Sequence, residues 1–311
     1  MKKDILSILD LNGEELTEVL ALADKLKGGR RNGIFPEYLY KKSVGLIFEK
    51  ASTRTRISFE TGIFELGGHP LFLNPNDMQL GRGETISDTA KVLSRYLSAI
   101  MMRSYSHRTV EELAFHSTIP VINGLSDEEH PCQILADIMT MRENFGNDLE
   151  DLTIAWIGDG NNVCNSLMLS SALTGFRVNV ASPPAYRPKE KYVKLAEKAG
   201  AEVKILDNPL DAVGDADVIY TDTWISMGRE NEKEARINAF KGYRVDGSLL
   251  ADCDSNSILF HCLPAHRGEE ISDDVIDGPR SRVWDQAENR LHAQKALLAK
   301  LLGEDISQEV S

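Results

Sequence analysis

Ser52-Thr53-Arg54-Thr55-Arg56 places three hydroxyls and two guanidiniums side by side. The segment follows the apolar run Val44-Gly45-Leu46-Ile47-Phe48 and opens a stretch with apolar Ile57, Ile63, Phe64 and Leu66 that stops at Gly67-Gly68. That order predicts a buried strand feeding a helix. A helix N-terminus offers unpaired N–H groups and the positive end of its dipole, so the segment has the chemistry of an anion site and suits a phosphate. The alternative is a capping Ser52 with two solvated arginines. Two further donor sets stand where other apolar runs end: Arg103 after Ala99 to Met102, and His130-Pro131-Cys132-Gln133 after Val121-Ile122. Imidazole and carboxamide can both donate to an acyl oxygen. Ligands of open α/β sheets bind at the carboxyl ends of strands, where all three sets fall.

The second half carries a different chemistry. Gly158-Asp159-Gly160-Asn161-Asn162-Val163 follows an apolar run and superficially suggests dinucleotide binding. The third glycine of that fingerprint is replaced by Val163, and the run Val178 to Ser182 ends without the acidic residue that would hold a ribose. Asn161, Asn162 and Asn165 instead bring amides to a helix start, suited to a zwitterion or to capping. Asp222 is the one full negative charge where Val218 to Tyr220 ends and could hold an ammonium group, while Arg229 to Arg236 has the composition of a solvated surface helix. His261-Cys262-Leu263-Pro264 closes the run Ile258 to His261. Grouping it with His130 and Cys132 as a zinc site fails, since neighbouring strand residues point to opposite faces and no regular ligand spacing exists.

These residues need a scaffold of alternating strands and helices. The first half supplies runs at Val44 to Phe48, Leu71 to Leu73, Ala99 to Met102 and Val121-Ile122; the second at Thr153 to Ile157, Val178 to Ala181, Val203 to Leu206, Val218 to Tyr220 and Ile258 to His261. Each reads as a buried strand of a mostly parallel sheet flanked by helices, an α/β fold. The polar stretch 144–151 predicts two domains, 1–147 and 148–286. The last helical pattern, Ala287 to Leu302 with apolar Leu291, Leu297, Leu298 and Leu301, is expected to return to the first domain with residues 287–311.

The 311 residues carry 35 Lys and Arg against 48 Asp and Glu, a net charge of −13. Such a field repels nucleic acid and anionic membranes, so any bound anion needs a local cationic pocket. Hydrophobic content of 42% with 27% charged residues belongs to a folded protein rather than a disordered one. Four cysteines without a CxxC pair argue against a disulfide framework. No signal-peptide core or bilayer-length apolar run is evident, so the expected location is the cytoplasm.

As a set, Ser52 to Arg56, Arg103 and His130 to Gln133 resemble the aspartate/ornithine carbamoyltransferase family over nearly the whole chain. Ser226-Met227-Gly228 and His261 to Pro264 resemble its ornithine-specific members more than the aspartate-specific ones, and Arg82 stands at the place of the latter's catalytic lysine. The resemblance implies transfer of a carbamoyl group from carbamoyl phosphate to the δ-amine of L-ornithine, giving L-citrulline, with no cofactor and no metal. It implies that Ser52, Thr53, Arg54, Thr55, Gln79, Arg103, His130, Pro131, Cys132, Gln133, Cys262, Leu263 and Arg290 bind carbamoyl phosphate, Gln79 by reaching a neighbouring subunit. Among these, Arg54, Arg103, His130, Gln133 and Cys262 would be catalytic. Asn162, Asp222, Ser226 and Met227 would hold ornithine, and the assembly would be a homotrimer or a multiple of trimers. Putrescine or N-acetylornithine as acceptor, or a non-catalytic carbamoyl-phosphate-binding regulator, are the competing readings.

Overall fold

Every apolar run named above is a strand in the computed structural model, which describes residues 1–79, 83–225 and 230–303. The chain divides into two compact units, Met1–Met139 with the chain from Glu288 onward, and Thr140–Ala287. The first unit contains β1 (Ser43–Phe48), β2 (His69–Leu73), β3 (Ala99–Arg103) and β4 (Val121–Leu125), with helices α1 (Gly13–Arg31), α2 (Thr53–Glu65), α3 (Ile86–Tyr96) and α4 (His107–His116). Helix α5 (Pro131–Phe145) runs across the first division. The second unit contains β5 (Thr153–Ile157), β6 (Arg177–Ala181), β7 (Glu202–Leu206), β8 (Val218–Thr221) and β9 (Ile258–His261). Its helices are α6 (Asn162–Thr174), α7 (Glu190–Ala199), α8 (Pro209–Val213), α9 (Lys233–Ala239), α10 (Gly247–Ala251) and α11 (Asp273–Ile276), and α12 (Val283–Leu302) runs across the second division.

Both sheets are parallel throughout their named strands, in the orders β2-β1-β3-β4 and β7-β6-β5-β8-β9. Each order reverses once, between β1 and β3 in the first sheet and between β5 and β8 in the second. Connections leaving two adjacent strands in opposite directions open a crevice at their carboxyl ends, which is where α/β folds place ligands. The register pairs Phe48 with Arg103 and Ile157 with Thr221, so the donor-rich segments that follow these residues start side by side.

Burial of the strands differs from expectation in two places. β1, β3, β5 and β8 are buried along almost their whole length, but β2 and β7 alternate exposed and half-buried residues. They are the edge strands on one side of each sheet. Short apolar runs carry no mark of position within a sheet, so an edge strand and a central strand look alike in sequence. On α2, likewise, Ile63 and Leu66 are buried while Ile57 and Phe64 face outward.

Helix α12 begins at Val283, a turn before the expected Ala287, and packs back on the first unit with an unusually polar buried surface. Leu297 and Leu298 are fully buried beside Ala293, Ala296 and Ala299, whereas Leu291 and Leu301 are only half-buried. Lys295 is buried and donates to Glu65 of α2 at 2.8 Å; Arg30 of α1 reaches the same carboxylate at 2.8 Å. Lys27 donates to Asn289 at 2.8 Å. Burial pushes the Glu65 carboxyl up, but the hydrogen bonds and charges of Lys295 and Arg30 outweigh it and hold the group below the usual range. The stabilisation is therefore present above the ordinary carboxylate range and is lost as pH falls through the depressed value. Glu65→Gln is expected to cost about 2 to 3 kcal/mol at neutral pH in urea unfolding, a difference from the parent that shrinks steadily below about pH 4.

Candidate active site

The site in the first unit is built on the reversal between β1 and β3. The turn after β1 is tied down by Glu49, whose N–H donates to the Arg103 carbonyl at 2.9 Å and whose carboxylate accepts from Ser104 Oγ at 2.6 Å and Tyr105 N at 3.0 Å. Helix α2 then starts with Ser52 as its cap, the Oγ accepting from Thr55 N at 3.2 Å. Capping and anion chemistry are compatible here, since the Ser52 side chain caps the same turn that carries Arg54 and Thr55. The buried Thr55 hydroxyl accepts from Arg103 Nη1 at 3.4 Å and from Arg290 Nη2 at 3.1 Å, joining β3 and α12 to this turn. Arg56 takes no part, for it pairs with Glu60 at 2.8 Å and lies 3.7 Å over the Phe72 ring.

His130 stands immediately before α5 and is 4% exposed. Burial, followed by the charges of Arg290, Arg103 and Arg54, pushes its pKa well below the ordinary value. The ring is therefore a neutral imidazole at physiological pH, able to donate one N–H to an oxygen on which charge develops. Gln133 accepts from Arg290 Nη1 at 2.7 Å and donates to the buried Asp137 carboxylate at 2.8 Å, so its amide orients the guanidinium of Arg290. Pro131 has no N–H to give, and the Cys132 thiol is buried, donates to the Asn123 carbonyl at 3.6 Å and is pushed by burial up to about 12. The side-chain N–H donors of this segment belong to His130 and Gln133.

In the second unit the reversal between β5 and β8 brings together an amide and a carboxylate. Asn161 caps α6 by accepting from Val163 N at 3.0 Å and Cys164 N at 3.1 Å, and its Nδ2 donates to Asp222 Oδ2 at 2.7 Å. Asp222 is 7% exposed and also accepts from Thr223 N at 2.7 Å. Gly160 is required by packing: a Cβ there would lie 2.1 Å from Pro188 N. This turn is shaped for the 187–188 backbone, in keeping with its failure as a dinucleotide fingerprint. Asn162 opens the helix and Asn165 is buried one turn on.

At the end of β9, His261 is fully buried, accepts from Leu263 N at 2.9 Å through Nδ1 and donates through Nε2 to buried Glu270 at 3.1 Å. It holds the turn at half-buried Cys262 and Leu263, where Leu263 has φ of 57°. A leucine in the left-handed region is strained and is kept there by such bonds. Asp222, His261 and Cys262 bring ligand-type atoms within 4.8 Å, a grouping the spacing did not reveal. Both His261 nitrogens are engaged in these bonds, so its lone pair is not available to a metal.

Two expectations for this half need correction or fall outside view. Arg236 is no solvated surface residue: it is buried, donates to Asp159 at 2.8 Å, Glu232 at 2.9 Å and the Trp224 carbonyl at 2.9 Å, and lies over the Tyr186 ring. A lone arginine in a charge-dense stretch gives no sign of burial, because its three acceptors lie on other segments or a turn away. Ser226, Met227 and Arg82 lie outside the described residues. Gln79 is described and exposed, its carbonyl accepting from Glu84 N at 3.2 Å.

Comparison with known proteins agrees with this geometry. Residues 3–143 match the carbamoyl-P binding domain model of the aspartate/ornithine carbamoyltransferases, and residues 150–301 match their Asp/Orn binding domain model. The chain belongs to the aspartate/ornithine carbamoyltransferase family. Within this family, an ornithine carbamoyltransferase of Methanoculleus marisnigri is 60% identical over 302 residues, covering 97% of each chain. The solved structure of ornithine carbamoyltransferase from Pyrococcus furiosus is 50% identical with a TM-score of 0.92, covering 96% of this chain and 97% of that one. The Thermus thermophilus enzyme is 42% identical with a TM-score of 0.88, covering 97% and 99%. In this carbamoyltransferase, the neutral state of His130 has a direct signature. Its ring carbons, observed by NMR on histidine-labelled protein, are expected to keep neutral-imidazole shifts from pH 8 down to about 5.5, where an ordinary histidine is largely protonated.

Proposed function

We propose that the protein transfers the carbamoyl group of carbamoyl phosphate to the δ-amine of L-ornithine, releasing L-citrulline and phosphate. The observation that carries this reading is the convergence of Arg103 and Arg290 on Thr55 in the capped first turn of α2, with buried His130 within reach of their charges and that of Arg54. The guanidiniums and the helix turn from Ser52 to Thr55 take the phosphate, and Arg103 and His130 take the carbamoyl oxygen, with Gln133 fixing Arg290 behind them. The amine nitrogen attacks the carbonyl carbon as charge grows on that oxygen. The bond to the bridging oxygen then breaks, its electron pair leaves with phosphate, and the surplus proton of the amine passes to the departing phosphate, with Cys262 beside the reacting groups. Asp222, held by Asn161, is suited to an α-ammonium group, with Asn162, Ser226 and Met227 completing the ornithine contacts and Leu263 that of the carbamoyl nitrogen.

The acidic composition and four free thiols support a reducing, cytoplasmic location, and no helix among the described residues is long and apolar enough to cross a membrane. We take Gln79, exposed and away from any hydrogen bond with the cluster among the described residues, as the group offered to a neighbouring subunit of a trimer, and arginine biosynthesis as the setting.

A colorimetric citrulline assay with ornithine, putrescine, aspartate and N-acetylornithine tests the reaction; ornithine is expected to be carbamoylated at least a hundredfold faster than the others. His130→Ala is expected to lower kcat by about 10² to 10³, and a kcat within twofold of the parent removes His130 from the oxyanion role. Asp222→Asn is expected to raise the KM for ornithine by about tenfold or more, the order of one charge-assisted contact, with the KM for carbamoyl phosphate unchanged.

A further inference from the structure

His130 ends the segment 126–130 that links β4 to α5, and one buried side chain reaches that segment from the strand before it. Strand β4 carries an extra residue at Gly124, since Met102 pairs with Asn123 but Arg103 pairs with Leu125. A Cβ on Gly124 would lie 2.3 Å from Met101 Sδ, so the irregularity needs glycine. Immediately before it stands Asn123, fully buried. Its Nδ2 donates to the Leu6 carbonyl at 3.0 Å and faces two acceptors for its second proton, Ser126 Oγ at 3.3 Å and the Glu129 carbonyl at 3.4 Å. Oδ1 has no hydrogen-bond partner among the described residues, so the nitrogen makes every side-chain bond. The main-chain carbonyl of Asn123 accepts from the Cys132 thiol at 3.6 Å. Asn123 thus touches Glu129 and Cys132, the residues that flank His130-Pro131.

The start of the chain braces the same segment. Ile5 lies alongside β4, its N–H donating to the Val121 carbonyl at 2.9 Å and its carbonyl accepting from Asn123 N at 2.8 Å. Ile8 N then donates to the buried Glu129 carboxylate at 3.2 Å. Ser126 and Glu129 close the turn between them: Ser126 N donates to the Glu129 carbonyl at 2.9 Å, and Glu129 N to Ser126 Oγ at 3.1 Å. We propose that Asn123 is a positioning residue that aims His130, tying the main chain beside its ring to residues 5–8. A donor to a developing oxyanion acts only at its place, and a displacement of about 1 Å forfeits much of its effect. Residues 126–130 belong to no helix or strand, so side-chain hydrogen bonds must supply that precision. The groups read as phosphate ligands at 52–55 and 290 stand at the start of α2 and on α12, and no side-chain bond of Asn123 runs to them. A misplaced His130 therefore slows transfer without loosening the phosphate. The role rests on the carbamoyl-phosphate reading of this site.

The experiment compares Asn123→Ala and Ser126→Ala, each in the parent and in a His130→Ala background, by steady-state kinetics and by titration calorimetry with inorganic phosphate. In the parent, Asn123→Ala is expected to lower kcat about tenfold and Ser126→Ala about threefold, with phosphate affinity and the ornithine KM within twofold of the parent. In the His130→Ala background neither is expected to lower kcat by a further twofold, because a residue that acts through His130 has nothing left to aim. Folded Asn123→Ala protein with kcat within twofold of the parent overturns the proposal. So does a loss that persists in full without His130, or a matching loss of phosphate affinity, which marks damage to the whole site. If Asn123→Ala does not fold, an unchanged kcat in Ser126→Ala overturns it. A parent that forms no citrulline sinks the functional reading instead. The ring signals of His130, identified on histidine-labelled protein by their absence in His130→Ala, then decide the positioning role without turnover. They are expected to move in Asn123→Ala while those of His261 stay, and unmoved His130 signals overturn the proposal.

Discussion

Three guanidiniums bearing on one buried imidazole are a costly arrangement, and the first unit is organised around making it tolerable. Like charges repel, and each loses water on burial. Among the groups that hold Arg103 and Arg290 are the Thr55 hydroxyl and the Gln133 carboxamide, which satisfy N–H groups without adding opposite charge. The positive end of the α2 dipole adds partial charge of the same sign. Such a cluster is most stable when an anion occupies it, so the cost of assembling it is returned as affinity. It also bears on the imidazole: burial first, and then the charges of Arg290, Arg103 and Arg54, push the His130 pKa well below its ordinary value and favour the neutral ring.

The second unit solves the opposite problem with the same architecture. Its sheet also reverses order once, but the crevice between β5 and β8 presents a carboxylate, held by an asparagine that simultaneously caps the next helix. One fold plan used twice, with the sign of the charge at the reversal inverted, sorts an anionic from a cationic group by position in the chain. The rest of the surface, acidic on balance, discourages anions from settling elsewhere.

Much of this was legible before any coordinates. Central strands announce themselves as apolar runs, and the donor-rich residues at or beyond their carboxyl ends include the ones the fold brings toward one another, Thr55 with Arg103 and His130 among the charges of Arg54, Arg103 and Arg290. What composition hides is pairing over distance. Ser58, Gln294 and Asp137 look like solvent-facing helix positions until α12 and α5 cover them, and Arg236 looks solvated until Asp159 and the Trp224 carbonyl appear beside it. Polar residues on a buried helix face cannot be told from polar residues in water without knowing what lies opposite. Edge strands escape for a related reason, since exposure is a property of neighbours rather than of the run itself. Arg290 came into view only through family likeness; nothing in the pattern of α12 singles it out among the charged residues there.

The helix that carries Arg290 is the last regular element among the described residues. The second unit, Thr140–Ala287, separates Arg290 from the rest of the first unit, so a ribosome must deliver all of it before the cluster gains its third cation.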